Sequence, residues 1–299
     1  MIQKFILLLV SFMVVACNTT LNKTMENPSL QTESKKQVEG KYASVNGLKM
    51  YYEIHGEHSG IPLVLIHGGG STIETTFGRV LPIFAKTQKV IAVEMQGHGH
   101  TADINRPLSF DQDADDIAAL LQHLNISKPN IFGFSNGAST TLHFAIRHPE
   151  LTNKIIVAST FYKKSGAPDW FWEMMQKPSF EGMPQAYKDA FQQINPDEKA
   201  LYQMYERDVA RMQAFPDLTA EQLTSIKAPA LIILGDRDVT TPEHAVEMHR
   251  LLKNSRLAIF PGGHGDYIGE ITTAQDTLII SAATSLVNKF LSENTKRVE

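Results

Sequence analysis

Ser135, Asp238 and His264 lie far apart in the chain, yet they are the residue types that nucleophilic acyl chemistry needs. A hydroxyl attacks, an imidazole takes its proton, and a carboxylate orients the imidazole and stabilises its charged form. Ser135 stands in Ile131-Phe132-Gly133-Phe134-Ser135-Asn136-Gly137, an apolar run that stops at Gly-x-Ser-x-Gly and passes into a helical pattern. So tight a strand-to-helix turn needs Gly133 and Gly137 to clear the serine, whose strained backbone lifts the hydroxyl above the sheet. Alone, the motif would equally suit a serine capping an ordinary helix. The elements around it decide.

Pro62-Leu63-Val64-Leu65-Ile66 is a continuous apolar run, as a strand buried on both faces of a parallel sheet requires, and it ends at His67-Gly68-Gly69-Gly70. A glycine loop there turns backbone N–H groups toward a cavity, where they bind charge developing on a carbonyl oxygen. Gly69 is expected as the first such donor. Asn136 is the second, because its N–H stands free at a helix N-terminus. Lys89–Val93 reads as the next buried strand. Ala230–Leu234 ends in Gly235-Asp236-Arg237-Asp238, and Arg256–Phe260 ends in Pro261-Gly262-Gly263-His264, so two further strand ends supply an acid and a base. Tyr42–His55 reads as two strands turning at Asn46-Gly47. Helices are expected over Phe110–Leu124 and Ala138–Arg147, with a strand over Ile155–Ala158. Alternating strands and helices imply a parallel sheet.

On these motifs, and on the chain order Ser135, Asp238, His264, the sequence resembles the α/β-hydrolase superfamily from roughly Tyr42 to the C-terminus. The resemblance implies an α/β fold with a mostly parallel eight-stranded sheet flanked by helices, and a helical cap inserted after strand 6. It also implies that Asp238, last in Gly-x-x-Asp, is the acid, with Asp236 bracing the loop; Asp266, only two residues after His264, cannot easily reach the imidazole nitrogen facing away from Ser135 and reads as a solvated loop residue. Val93-Glu94-Met95-Gln96-Gly97-His98-Gly99-His100-Thr101 is similar to a turn that usually carries Asp and Arg where Glu94 and Gln96 stand, which leaves the bracing of this loop open. A serine nucleophile disfavours the dehalogenase and epoxide-hydrolase branches, which use aspartate there.

The expected organisation is a leader over 1–16, a tether over 17–39, a catalytic core over 40–160 and 227–299, and a cap over 161–226. The cap segment has helical spacing, repeated proline breaks and no buried strand run. Its Trp170, Phe171, Trp172, Met174, Met175, Met204, Tyr205 and Met212 either line a substrate pocket or simply pack the cap. With 299 residues, 42% hydrophobic and 20% charged, the chain suits one globular domain with an insertion. A net charge of -4 without a basic cluster excludes nucleic acid as a partner.

Lys4, the apolar run Phe5–Val15 and then Ala16-Cys17 resemble a bacterial lipoprotein signal. The run is well short of the roughly 20 residues a membrane-spanning helix needs. The resemblance makes Cys17, the chain's one cysteine, the lipidated mature N-terminus. Ordinary secretory cleavage is the competing reading. The polar stretch from Asn18 to about Val38 reads as a disordered tether, with an extra surface helix as the alternative. The expected location is the bacterial cell envelope, in the outer membrane if there are two.

No cofactor or metal is expected. His98 and His100 fall within the family-like turn, His244 and His249 are poorly spaced for one helix face, and His143 and His148 read as exposed or capping residues. The expected reaction is serine hydrolysis of a small acyl compound, with a carboxylic ester first. A carbon–carbon bond in a diketone-like acid, a lactone, an amide, acyl transfer, and a non-catalytic ligand-binding lipoprotein are the alternatives.

Overall fold

The computed structural model describes residues 39–293. The leader, Cys17 and all but the last residue of the tether lie outside the described residues. Eight strands form one sheet: β1 (Lys41–Val45), β2 (Leu48–His55), β3 (Leu63–Ile66), β4 (Val90–Glu94), β5 (Asn130–Phe134), β6 (Lys154–Ala158), β7 (Ala230–Gly235) and β8 (Ser255–Phe260). Their order is β1-β2-β4-β3-β5-β6-β7-β8. Pairing is antiparallel at β1–β2 and β2–β4, and parallel from β4 through β8. The β1–β2 turn falls on Asn46 and Gly47, both at positive φ as a tight hairpin turn requires.

Ten α-helices accompany the sheet among the described residues: α1 (Ile73–Phe77), α2 (Leu81–Phe84), α3 (Phe110–His123), α4 (Asn136–Arg147), α5 (Asp169–Gln176), α6 (Gln185–Ile194), α7 (Glu198–Gln213), α8 (Ala220–Ser225), α9 (Pro242–Leu251) and α10 (Thr277–Ser292). Strands β3 to β7 are buried along their whole length, so their apolar runs without alternation follow from helices on both faces. One face packs Phe77, Phe84, Phe132 and Tyr267 with α10. The other packs α3 and α4.

Between β6 and β7 the chain is helical, from α5 to α8. In this segment Phe171, Met204 and Met212 are buried, whereas Trp170 and Met174 are 55% and 48% exposed. Those two side chains are therefore largely open to solvent. Leu218, Leu223 and Ile226 pack with Ala138 and Leu142 of α4, so α8 rests on the core. No helix among the described residues is long and apolar enough to cross a membrane.

Candidate active site

Ser135 sits at the β5–α4 junction with φ 54° and ψ -120°, a conformation that non-glycine residues avoid and that only surrounding structure can hold. A Cβ on Gly133 would overlap Gly137 O and Thr141 Oγ1, and one on Gly137 would overlap Ile66 O. The two glycines let α4 start directly against β3 and β5. The Ser135 N–H is tied to Ala158 O on β6 at 2.9 Å.

The loop after β3 packs on this turn. A Cβ on Gly68 would lie 3.3 Å from Ser135 Cβ, and one on Gly69 would overlap the Asn136 amide. The loop's anchor is His67, which is buried. Its Nδ1 donates to Gly68 O at 2.7 Å and its Nε2 accepts from Met95 N–H at 3.1 Å. This pattern needs a neutral ring, and burial depresses the His67 pKa to about 3. Gly69 N–H and Asn136 N–H have no hydrogen-bond partner among the described residues.

Asp238 and His264 meet. His264 Nδ1 donates to Asp238 Oδ1 at 2.7 Å, which leaves Nε2 free. The Asp238 side chain is fully buried and that of His264 is 31% exposed. Burial alone would depress His264, but the Asp238 charge and hydrogen bond outweigh it and raise its pKa. Burial would raise Asp238, yet the His264 charge and bond, with donors from Ser159 and Gly235, hold it below the ordinary value. The His264 ring lies 4.7 Å from that of Phe134, the residue before Ser135. No hydrogen bond joins the Ser135 hydroxyl to His264 in this structure.

Three contributors are not evident from sequence. Ser159, just past β6 and at φ 54°, donates to Asp238 Oδ2. Its own oxygen is 2.6 Å from the Tyr267 hydroxyl. Since Ser159 spends its proton on Asp238, Tyr267 donates to Ser159. Glu270 is 1% exposed, and its charge adds to the rise of the His264 pKa. A polar residue straight after a wholly buried strand is the signal that could have marked Ser159.

Asp236 accepts from Gly262 N–H at 2.8 Å and so joins the two loops that carry Asp238 and His264. Asp266 is half-buried and accepts from Gly263 N–H at 2.5 Å, so it also shapes the histidine loop. The turn after β4 is braced by the substituted residues themselves. Glu94 takes His100 N–H at 2.6 Å. Gln96 donates to Asp103 and Arg106 O and accepts from Arg106. His143 is buried and its Nδ1 is 2.7 Å from Asp111; it is not a solvent-exposed residue, because α3 and Phe110 cover it. His148 caps the end of α4 and pairs with Asp115. A cavity of about 610 Å³ opens between the 105–111 segment and α7, and its wall includes none of Ser135, Asp238 and His264.

The family model for the alpha/beta hydrolase fold matches residues 61–208, which include β3, the glycine loop and Ser135. The chain belongs to the α/β-hydrolase fold superfamily. This α/β-hydrolase is 28% identical over 236 residues to the human serine hydrolase BPHL, spanning 74% of this chain and 78% of the relative. It is 28% identical over 219 residues to a pimeloyl-(acyl-carrier protein) methyl ester esterase of Neisseria meningitidis, spanning 65% of this chain and 82% of the relative. Among solved structures, a serine hydrolase involved in carbazole degradation superposes with a TM-score of 0.69 at 23% identity, covering 85% of this chain and 99% of that one. This last likeness is one of fold.

Proposed function

We propose that this α/β-hydrolase is a serine hydrolase that cleaves a small carboxylic ester through Ser135, His264 and Asp238. The observation that carries the reading is the bonded Asp238–His264 pair, packed against the residue that precedes a strained Ser135 whose hydroxyl has no partner among the described residues. His264 Nε2 takes the Ser135 proton as Oγ attacks the carbonyl carbon, while Asp238 holds the proton on Nδ1 and stabilises the imidazolium. Gly69 and Asn136 N–H groups receive the oxyanion. Collapse of the tetrahedral adduct expels the alkoxide, which His264 protonates. Water, deprotonated by the same imidazole, then releases the acid and restores Ser135. The names of the two curated relatives, a serine hydrolase and a methyl ester esterase, support an ester. A carbon–carbon bond in a diketone-like acid is the second reading, supported by the HGGG-like loop at His67–Gly70.

The pH profile tests this assignment of the base. His264 must be neutral to accept a proton, and its pKa is raised above 6.5. The kcat/KM for short p-nitrophenyl esters should therefore rise with pH through a midpoint above 6.5. A midpoint at or below that value would argue against His264 as the base.

We also propose that Cys17 is lipidated and holds the enzyme at the bacterial cell envelope through the 17–39 tether. Several acyl chains give stable anchoring where one is marginal. In cell fractionation, Cys17→Ser should move the protein from the membrane to the soluble fraction; persistent sedimentation would refute the anchor.

A further inference from the structure

The glycine loop offers three successive backbone N–H groups, of which two are held and one is free. Gly68 N–H reaches Thr76 Oγ1 at 3.4 Å, and Gly70 N–H reaches Asp208 Oδ2 at 2.6 Å. Gly69 N–H has none among the described residues. The carbonyl of Gly69 is also held, by the Ser71 hydroxyl at 3.2 Å. The peptide joining Gly69 to Gly70 is thus gripped at both its oxygen and its N–H. Asp208 does not belong to the sheet or its loops; it is carried by α7, in the helical segment between β6 and β7.

The carboxylate of Asp208 lies beside the proposed oxyanion donors, because a Cβ on Gly69 would sit 3.2 Å from its Oδ2 and against the Asn136 amide. A bare negative charge there would oppose a developing oxyanion. Two cations balance it. His98 Nδ1 faces the Gln96 carbonyl at 2.9 Å and Nε2 faces Asp208 Oδ2 at 2.8 Å. Burial would lower the His98 pKa, but the Asp208 charge and hydrogen bond raise it and favour the imidazolium, whose Nε2 proton goes to Asp208; the Gly70 N–H, 3.2 Å from that nitrogen, then has Asp208 as its acceptor. Arg211 binds Asp208 Oδ1 through one nitrogen and Asp113 through another at 2.8 Å. The contacts are buried, so Asp208 is fixed and screened from water.

We infer that Asp208 is a positioning residue for the oxyanion loop: it holds the Gly70 N–H so that Gly69 is left as the loop's free donor. A run of glycines, with Gly70 at φ +66°, has no side chain to fix its peptide planes, and the Asp208 carboxylate supplies that constraint. The contact exists only while α7 is seated on the loop. The inference rests on the serine-hydrolase reading for its effect on rate, although the grip itself does not.

The test is Asp208→Ala beside Asp208→Asn, with kcat and KM for p-nitrophenyl butyrate per site titrated by fluorophosphonate. Hydrogen exchange of the peptide spanning Gly68–Ser71 is followed in parallel. Asp208→Ala should lower kcat about 10- to 100-fold with little change in KM, and speed exchange at Gly70. Asp208→Asn keeps a carbonyl acceptor and should recover most of both. If the alanine variant does not fold, Asp208→Ser, whose side chain is too short to reach Gly70, should behave as alanine was expected to. Unchanged kcat per titrated site, or unchanged exchange, would overturn the proposal. If wild-type protein neither turns over the ester nor takes the probe, the hydrolase reading fails, and the exchange data alone judge the grip.

Discussion

Ser135→Ala is expected to abolish ester turnover, lowering kcat by roughly 10⁴- to 10⁶-fold while the protein folds as before. The loss is large because Ser135 is the hydroxyl assigned to form the acyl-enzyme. What remains is the contribution of binding and of the Gly69 and Asn136 donors, which the substitution does not touch. Folding survives for a local reason. The Ser135 hydroxyl has no hydrogen-bond partner among the described residues, so removing it leaves none of their buried donors or acceptors unsatisfied. The strained backbone at φ 54° persists with alanine, which has the same Cβ. Stability should stay within about 0.5 kcal/mol, read by denaturant unfolding. Full activity in this variant would remove Ser135 as nucleophile.

Asp238→Asn carries the second largest expectation, a fall in kcat of roughly 10⁴-fold, on the precedent of the serine-protease triad. Every group around the Asp238 carboxylate donates to it: His264 Nδ1 at 2.7 Å, the Ser159 hydroxyl, Gly235 N–H at 3.2 Å and Thr240 N–H at 3.5 Å. An amide replaces one of the two accepting oxygens with a donor. If that donor faces His264, Nδ1 must become an acceptor and the proton moves to Nε2, where the ring can no longer take the Ser135 proton. If it faces Ser159, the Tyr267–Ser159 chain must reverse. The substitution also alters acid stability. The Asp238 pKa is depressed on folding, so its contribution is present above the unfolded pKa and is lost as pH falls through the folded one. The asparagine variant lacks that contribution. Activity within tenfold of wild type would show that Asp238 does not fix the tautomer.

The parts of this site that sequence reveals are those whose reasons are local. Gly133 and Gly137 are required by backbone atoms within four residues or on the adjacent strand, and Asn46-Gly47 is required by its own turn. Apolar runs identify β3, β5 and β7 because each is buried on both faces. The supporting contacts are not local. Asp208 and Gly70 are 138 positions apart, and Ser159 and Asp238 are 79 apart. Only the order of strands in the sheet, and the placement of α7 over the glycine loop, bring them together. In α5 the residues Trp170, Phe171, Trp172, Met174 and Met175 cover more than half of the helix circumference, so its periodicity could not tell buried Phe171 from exposed Trp170. In the turn after β4, Glu94 and Gln96 brace the loop through His100, Asp103 and Arg106, contacts that spacing alone does not disclose.

The most direct test of the central claim is intact-mass analysis after treatment with a fluorophosphonate, comparing soluble protein that begins at Asn18 with its Ser135→Ala variant. An activated serine should give one adduct on the wild type and none on the variant. No adduct on folded wild-type protein, or an adduct that persists in the variant, would contradict the assignment of Ser135 as the nucleophile of a working triad.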